Sequence, residues 1–227
     1  MQLAKSELNF PEGPWISLLE KAYVLLDKIA ADGFAPPRWS LGGGTVLMFY
    51  YAHRLSKDID IFIPDPQFLA YVNPRTGGRG EDFTSDYKDS NEYVKLFFPE
   101  GEIDFVASAT LTNNPFEKHD VLNRNIYLET PVEIVAKKLW YRGDRATPRD
   151  LLDFALVIEH HHSEILEHAE IFTKNIEAFT EQCESRKSIM QPVFNEIEKI
   201  KFNLSFDDCL LIVNNLKNEI LNKYLHS

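Results

Sequence analysis

The stretch that decides the fold, residues 41–63, reads LGGGTVLMFYYAHRLSKDIDIFI. It holds three consecutive glycines, a short apolar run typical of a helix, and two aspartates, Asp58 and Asp60, that alternate with isoleucines. Because successive side chains of a strand point to opposite faces, both aspartates are predicted to share one face of a strand. Aspartate is depleted in strands, and like charges on one face repel. The pattern therefore indicates a compensating group, and a metal ion is the first candidate.

A third aspartate on a later strand extends this carboxylate pattern. Asp104 is flanked by Ile103 and Phe105, so it alternates with apolar residues as Asp60 does. Asp58 and Asp60 are expected to lie roughly 6.5–7 Å apart along a strand. Carboxylates at that spacing, joined by Asp104, suit one Mg²⁺ ion or two. The alternative is that these side chains face solvent at strand edges.

Composition predicts two small domains in a reducing compartment. The chain has 227 residues, of which 44% are hydrophobic, and this is enough to bury a real core. Cys183 and Cys209 have neither metal-ligand spacing nor the density of a disulfide framework. Residues 1–15 lack the apolar centre of a signal peptide, and no apolar run is long enough to span a bilayer. We therefore expect a cytoplasmic protein with no membrane partner.

The net charge of the chain limits the kinds of partner that it is expected to bind. The net charge of −11 argues against nucleic-acid binding through overall charge, although a local basic patch could still contact a polyanion. Arg142, Arg145 and Arg149 are the candidates for such a patch. The three histidines at 160–162 look like a metal tract, but consecutive helical residues point about 100° apart and do not converge on one ion. A helix end is the better interpretation of that tract.

The first half of the chain mixes helices and strands. Apolar periodicity and turn residues predict helices over 17–31, 45–51 and 68–72, and strands over 39–41, 58–63, 93–98 and 102–107. The rest of the polar segment 64–91 is expected to be a flexible loop.

The second half is predicted to be helical. Thr130-Pro131 and Thr147-Pro148 read as helix starts with a capping box and proline at the first helical position. The expected helices cover 131–142, a segment from 148, and then 163–184, 189–200 and 205–224. We expect an α+β chain with a mixed-sheet domain over 1–127 and a helical domain over 128–227.

An ordered set of motifs resembles a known family. The chain resembles the AbiEii/AbiGii toxin family of nucleotidyltransferases, within the DNA polymerase β-like superfamily. The matching motifs are Gly43-Gly44-Thr45, residues 53–62, Lys95 ahead of Asp104, Glu133-x-x-x-Lys137 and Arg149-Asp150-x-x-Asp153. The resemblance covers about residues 41–153, and the helical continuation is similar.

The resemblance implies a nucleotidyltransferase fold and a role for each matching residue. Asp58 and Asp60 would ligate Mg²⁺, and Asp104 would complete the metal site and help to activate the attacking hydroxyl. Lys137 would act as a fourth catalytic residue facing the nucleotide phosphates. The implied nucleotide-binding residues are Gly43, Gly44, Thr45, Arg54, Ser56, Lys95 and Asp150.

Several of these residues also have an ordinary structural explanation. Glu133 and Lys137 form a favourable (i, i+4) pair on a helix, which contributes about 0.2–0.5 kcal/mol. Asp150 stands where a helix start favours a carboxylate. Ser56 either binds phosphate or shapes a turn. Lys95 either reaches the triphosphate or balances the carboxylates.

The predicted function is an Mg²⁺-dependent transfer of a nucleoside monophosphate from an NTP to an acceptor hydroxyl. The family implies an RNA acceptor, such as tRNA, and a role as the toxin of a toxin–antitoxin or abortive-infection system with a cognate antitoxin protein. One alternative is a small-molecule nucleotidyltransferase of the aminoglycoside-modifying kind. The other is a catalytically silent relative that binds a nucleotide or a partner through the same cleft.

Overall fold

The structure, a computed structural model, describes residues 8–225. Its contacts divide the chain into two compact units. Of the described residues, unit 1 comprises 8–50, Ser56–Thr110 and Phe116–Glu129. Unit 2 comprises Tyr51–Leu55, Leu111–Pro115 and residues 130–225. Residues 1–7, part of the N-terminal stretch tested above for a signal peptide, lie outside the described residues.

Unit 1 is built on one mixed sheet. The sheet order is β3-β4-β5-β2-β1-β7-β6. The pairs β1–β7 and β2–β5 are parallel, and the other neighbours are antiparallel. The strands are β1 (Ser40–Gly42), β2 (Ile59–Ile63), β3 (Tyr87–Asp89), β4 (Tyr93–Phe98), β5 (Gly101–Ala107), β6 (Phe116–Val121) and β7 (Arg124–Glu129).

Three helices accompany the sheet in this unit: α1 (Trp15–Ala31), α2 (Gly43–Tyr51), whose last residue belongs to unit 2, and α3 (Leu69–Val72). Helices α1 and α3 pack against β5. The period-2 alternation of β2 and β5 buries the isoleucines of β2, with Ile103 and Phe105, on one face. The opposite face carries Asp60 and Asp104, so the apolar core positions the carboxylates on the other side of the sheet.

Unit 2 is helical. Its helices are α4 (Pro131–Arg142), α5 (Pro148–Glu167), α6 (Ala169–Thr173), α7 (Ile176–Ser185), α8 (Lys187–Asn195) and α9 (Phe206–Leu225). Helix α5 packs against α4 and α9, and its core includes the stacked rings of Phe154 and Phe172. Within residues 8–225, no helix combines the length and apolarity that crossing a membrane requires.

Local signals placed many elements correctly. Strand β4 and helix α4 have the predicted bounds, and the ends of α1, β5 and α9 differ from their predictions by two residues or fewer. Thr147 and Asp150 form the predicted capping box. At Thr130 only half of that box is present, because the hydroxyl accepts from the Glu133 amide while the Glu133 carboxylate bonds elsewhere. The α+β class is confirmed.

Other predictions were wrong. The β6–β7 hairpin was missed because its strands are mostly polar, and its two-residue turn places Leu122 and Asn123 at positive φ. The helix predicted over 68–72 is present as α3, but the rest of segment 64–91 is not simply a loop, since it contains three 3₁₀ turns and β3. The single helix expected over 163–184 is three helices. Helix α5 runs on to Glu167 through a kink at His161, and α6 and α7 follow.

Candidate active site

Four neighbouring strands bring four residues into one row across the sheet. Gly42 of β1 pairs with Asp60 of β2, Asp60 with Asp104 of β5, and Asp104 with Lys95 of β4. Directly paired residues lie on the same face of a sheet. The row therefore places two of the predicted carboxylates side by side, with a predicted nucleotide-binding lysine next to them.

Asp104 is the more constrained of the two carboxylates in what surrounds its oxygens. Its Oδ2 accepts a hydrogen bond of 2.6 Å from Lys95 Nζ. Its Oδ1 is buried and has no hydrogen-bond partner among residues 8–225. Burial and the nearby charge of Asp60 raise the pKa of the Asp104 carboxyl to about 7. This carboxyl therefore exchanges protons near neutral pH, as a general base does.

Asp58 lies just before β2 rather than within it. The strand begins at Ile59, so the prediction of a strand that includes both aspartates was one residue too long. Asp58 Oδ1 accepts a hydrogen bond of 3.2 Å from the Glu102 amide. This bond ties Asp58 to β5, the strand that carries Asp104.

The predicted Thr45 and Ser56 meet beside this segment. Thr45 Oγ1 donates to the carbonyl oxygen of Asp58 at 2.6 Å and lies 3.0 Å from Ser56 Oγ. These contacts fasten the first turn of α2 to the residues that lead into β2. In the structure both side chains shape the turn, which is the structural explanation considered for Ser56.

The glycine turn lies directly against carboxylates. Gly43 has φ +68°, and a Cβ atom built on it would overlap the Asp60 carboxylate. A Cβ on Gly42 would overlap the carboxylate of buried Glu129 and the ring of Phe62. At position 43, only glycine adopts the left-handed conformation without strain and leaves room for the Asp60 carboxylate. Gly44 follows in the buried first turn of α2.

The donor set fits a hard cation. In the part of the chain that the structure describes, no group of three or more histidine, cysteine or acidic side chains is gathered as a metal site. The three predicted carboxylates therefore do not converge as they stand. Asp60 and Asp104 nevertheless offer a directly opposed pair with one buried, unsatisfied oxygen. Mg²⁺ commonly takes one or two carboxylates and completes its shell with water and substrate phosphate.

The three remaining predicted residues, Arg54, Lys137 and Asp150, belong to unit 2. Arg54 is buried and binds both oxygens of Asp153, at 2.8 and 2.9 Å. Lys137 is buried with its Nζ 3.5 Å from Glu133, which is the (i, i+4) pair expected from the sequence.

Asp150 and Asp153 centre a buried ion network. Lys138 Nζ donates to Asp150 at 2.8 Å and to Asp153 at 2.6 Å, and Arg142 also binds Asp150. Burial opposes ionisation, but Arg54 and Lys138 outweigh it and hold the pKa of Asp153 well below its usual range. Arg142, a candidate for the basic patch, is therefore paired within this ion network. Arg145 pairs with Asp144 on the surface.

Sequence reasoning gave no site role to four residues of these clusters. His53 is fully buried and bonds Asp153 at 2.9 Å, and Lys138 bonds both aspartates of the network. Glu133 accepts from the amides of Leu111 and Thr112, so it fastens a loop from an earlier part of the chain. Glu102 was detectable, because it stands two residues before Asp104 and so shares its strand face.

Comparison with solved structures found a protein that shares this fold. A Helicobacter pylori protein described as a candidate nucleotidyltransferase superposes with a TM-score of 0.52 at 14% identity, covering 94% of this chain and 97% of its own. The H. pylori protein JHP933 gives 0.49 at 14% identity, covering 96% and 97%. The Bradyrhizobium diazoefficiens CD-NTase CdnG in complex with GTP gives 0.35 at 12%, covering 95% and 89%. At such identities the first similarity shows the fold alone.

Sequence comparison identifies the family. None of the curated proteins compared with the chain matches it significantly. The family described as nucleotidyl transferase AbiEii toxin, type IV toxin–antitoxin system, matches residues 24–218. This match covers most of the chain, including the glycine turn, the three aspartates and the ion network. The chain therefore belongs to the AbiEii family of nucleotidyl transferase toxins, and it is a nucleotidyltransferase.

Proposed function

We propose that this enzyme transfers a nucleoside monophosphate from an NTP to an acceptor hydroxyl at the sheet face that carries Asp60 and Asp104. The observation that supports this most strongly is the opposed carboxylate pair, one oxygen of which is buried without a partner. The glycine turn against Asp60 adds backbone amides at the start of a helix, where triphosphate oxygens bind favourably. We assign that contact to Gly43 and Gly44.

The reaction is proposed to depend on Mg²⁺. Asp60 and Asp104 would hold the ion, with Asp58 as the third carboxylate of the segment. When bound, Mg²⁺ supplies positive charge that stabilises the negative charge developing on the phosphate oxygens in an in-line displacement. Two opposed carboxylates otherwise repel, so the same ion also offsets an electrostatic cost of the fold.

The proposed step conserves bonds and charge without a covalent intermediate. The acceptor oxygen forms a bond to the α-phosphorus, the bond between that phosphorus and the β-phosphate oxygen breaks, and pyrophosphate leaves. The acceptor proton passes to Asp104, whose Oδ1 is buried without a hydrogen-bond partner among the described residues. Catalysis then rests on positioning and charge stabilisation.

Residues of unit 2 are assigned two kinds of role. We propose that Lys137 is the fourth catalytic residue. Arg54 and Asp150 are engaged in ion pairs with Asp153, Lys138 and Arg142, so we assign them to stabilising unit 2 rather than to direct phosphate contact. We likewise assign Thr45 and Ser56 to holding the turn rather than to direct phosphate contact.

The proposed acceptor is RNA, with tRNA as the first candidate, and the proposed role is that of a cytoplasmic toxin countered by a cognate antitoxin. Membership of a toxin family supports both. A small-molecule acceptor of the aminoglycoside type remains the second candidate, because the net charge of −11 would attract a cationic substrate.

One labelling experiment tests the proposal. The protein is incubated with each α-³²P-labelled NTP in turn, with Mg²⁺ or EDTA, and with total tRNA or an aminoglycoside. We expect label on RNA only with Mg²⁺, and its loss in Asp60→Asn and Asp104→Asn. The control is Asp86→Asn, which changes an exposed aspartate of unit 1.

The outcomes separate the candidates. Label on the aminoglycoside alone would replace the RNA acceptor with a small molecule. Transfer that persists in EDTA would contradict the Mg²⁺ dependence. Transfer that persists at the wild-type rate in Asp60→Asn would show that the sheet face is not the site. A chain that labels no acceptor with any NTP would support the silent relative.

A further inference from the structure

Lys95 forms a bridge between two carboxylates. Its Nζ lies 2.6 Å from Asp104 Oδ2 and 2.6 Å from Glu102 Oε1. The pair with Asp104 is directly cross-strand, and the pair with Glu102 is diagonal. All three side chains are less than one-third exposed. An ammonium group has three donors, so two of the three are used inside the sheet.

The charges around Lys95 explain why it is held there. Burial works to lower the pKa of Lys95, but Asp104 and Glu102 outweigh it and raise this pKa above its ordinary value. On its other side Asp104 faces Asp60, a like charge directly opposite. Lys95 is thus the neighbouring cation that offsets part of the repulsion between the two site aspartates.

The two oxygens of Asp104 are therefore not equivalent. Oδ2 is fixed by Lys95, whereas Oδ1 is buried without a hydrogen-bond partner in the described chain. A carboxylate held through one oxygen keeps a single orientation, and the other oxygen is then the one available for a cation or for the proton of an acceptor hydroxyl.

We propose that Lys95 is a positioning residue for Asp104 and that Glu102 in turn positions Lys95. Lys95 does not bind the triphosphate. It orients the Asp104 carboxylate through Oδ2, and Glu102 keeps the ammonium group in place. The assignment rests on the proposed function of the sheet face as the transfer site.

Kinetics of matched variants distinguish positioning from phosphate binding. Lys95→Met is expected to lower kcat for nucleotidyl transfer by about 10–100-fold while the KM for NTP changes less than about twofold. Glu102→Gln should act in the same direction with a smaller effect, and Lys95→Arg should restore part of kcat. Lys118→Met is the matched control, since Lys118 is an exposed lysine of β6, at the opposite edge of the sheet from β4, and should leave both constants unchanged.

A second measurement does not need activity. Crystal structures of the wild type and Lys95→Met, both without nucleotide, should show the Asp104 carboxylate rotated or displaced in the variant, with the strands of the sheet retained. Far-UV circular dichroism checks that the variant folds. If Lys95→Met fails to fold, Lys95→Gln takes its place in both measurements.

The outcomes separate this inference from the proposed function. A rise in the KM for NTP with kcat preserved would assign Lys95 to the triphosphate and overturn the inference. An Asp104 carboxylate that keeps its wild-type position without Lys95 would also overturn it, even if the wild type transfers no nucleotide. Conversely, a displaced carboxylate in a chain that labels no acceptor would leave the positioning intact and contradict only the transfer proposal.

Discussion

Asp60 on β2 and Asp104 on β5 lie directly opposite each other in a parallel strand pair. Like charges in directly opposed positions destabilise a sheet, and Asp104 is also largely buried. The fold therefore carries an electrostatic cost at the point where the chemistry is proposed. Such costs are common where a site is shaped for function rather than for stability.

That cost predicts a stabilised but inactive variant. The raised pKa of Asp104, about 7, means that the folded chain binds a proton more tightly than the unfolded chain between about pH 4 and 7. Stability from this group is thus lost as pH rises through that window. Without divalent cations at pH 8, Asp104→Asn should raise the free energy of unfolding by about 1–3 kcal/mol.

Urea unfolding of both proteins at pH 8 and at pH 4 measures this effect. The advantage of Asp104→Asn should shrink at pH 4, where the wild-type carboxyl is protonated in the folded state. An equal difference at both pH values, or a destabilised variant at pH 8, would contradict the assignment of a raised pKa to this carboxyl.

The glycine turn predicts a sharp difference between two alanine substitutions. Gly43→Ala places a methyl group against Asp60 at φ +68°, so we expect a loss of about 1–3 kcal/mol and a fall in transfer of about 100-fold. Gly33→Ala is the control, because Gly33 also has positive φ but nothing lies within 4 Å of the added Cβ. It should cost about 1 kcal/mol and leave transfer unchanged, so equal activity losses would refute the role of the turn.

The ion network of unit 2 predicts a large stability loss on breaking it. Asp153→Ala leaves the buried Arg54 and Lys138 cations without this partner, so the free energy of unfolding should fall by about 3–5 kcal/mol. Asp144→Ala removes an exposed pair with Arg145 and should change it by less than about 0.5 kcal/mol. Chemical denaturation compares the two variants, and a loss below about 1 kcal/mol for Asp153→Ala would show that the network is not structural.

His53 predicts the pH dependence of this unit. Burial lowers the pKa of His53 despite the hydrogen bond to Asp153. The folded chain thus prefers neutral imidazole, with Nε2 donating to Asp153 because Nδ1 has no partner among the described residues. The resulting stability is present above about pH 6.5 and is lost as pH falls below that value.

His53→Gln isolates this contribution. The free energy of unfolding of the wild type, measured relative to that of the variant, should fall between pH 7.5 and pH 5. Taking this difference removes the effect of groups that both proteins contain, such as Asp104, whose protonation over the same range acts in the opposite direction. A variant with the full wild-type pH dependence would assign the titration to another group.

Local pattern carried much of the fold and of the site. The alternation of aspartate with isoleucine at 58–63 predicted a strand with two carboxylates on one face, and Asp60 lies as expected. The Thr147 capping box was predictable because its partners are three residues apart. Both signals depend on contacts between near neighbours in the chain, which sequence periodicity reports directly.

The position of Lys95 depended on register. The strand predicted after residues 93–98 began at Glu102, but the structure begins β5 at Gly101 and pairs Phe98 with Gly101. This register sets Lys95 opposite Asp104. A slip of one residue would place it opposite Phe105, whose side chain points to the other face. The hydrogen bond between Lys95 and Asp104 could therefore not be predicted from the strand assignment alone.

By itself the sequence determined the identity of the chemistry: the carboxylates, the glycine turn and the family, because these lie in short segments with regular spacing. Only the tertiary structure decided which charged side chains pair with each other. Arg54 pairs with Asp153, 99 residues away, and Lys138 is enclosed between Asp150 and Asp153. Burial makes an unpaired charge costly, so these partners are selected by the three-dimensional packing and leave no periodic signal in the chain.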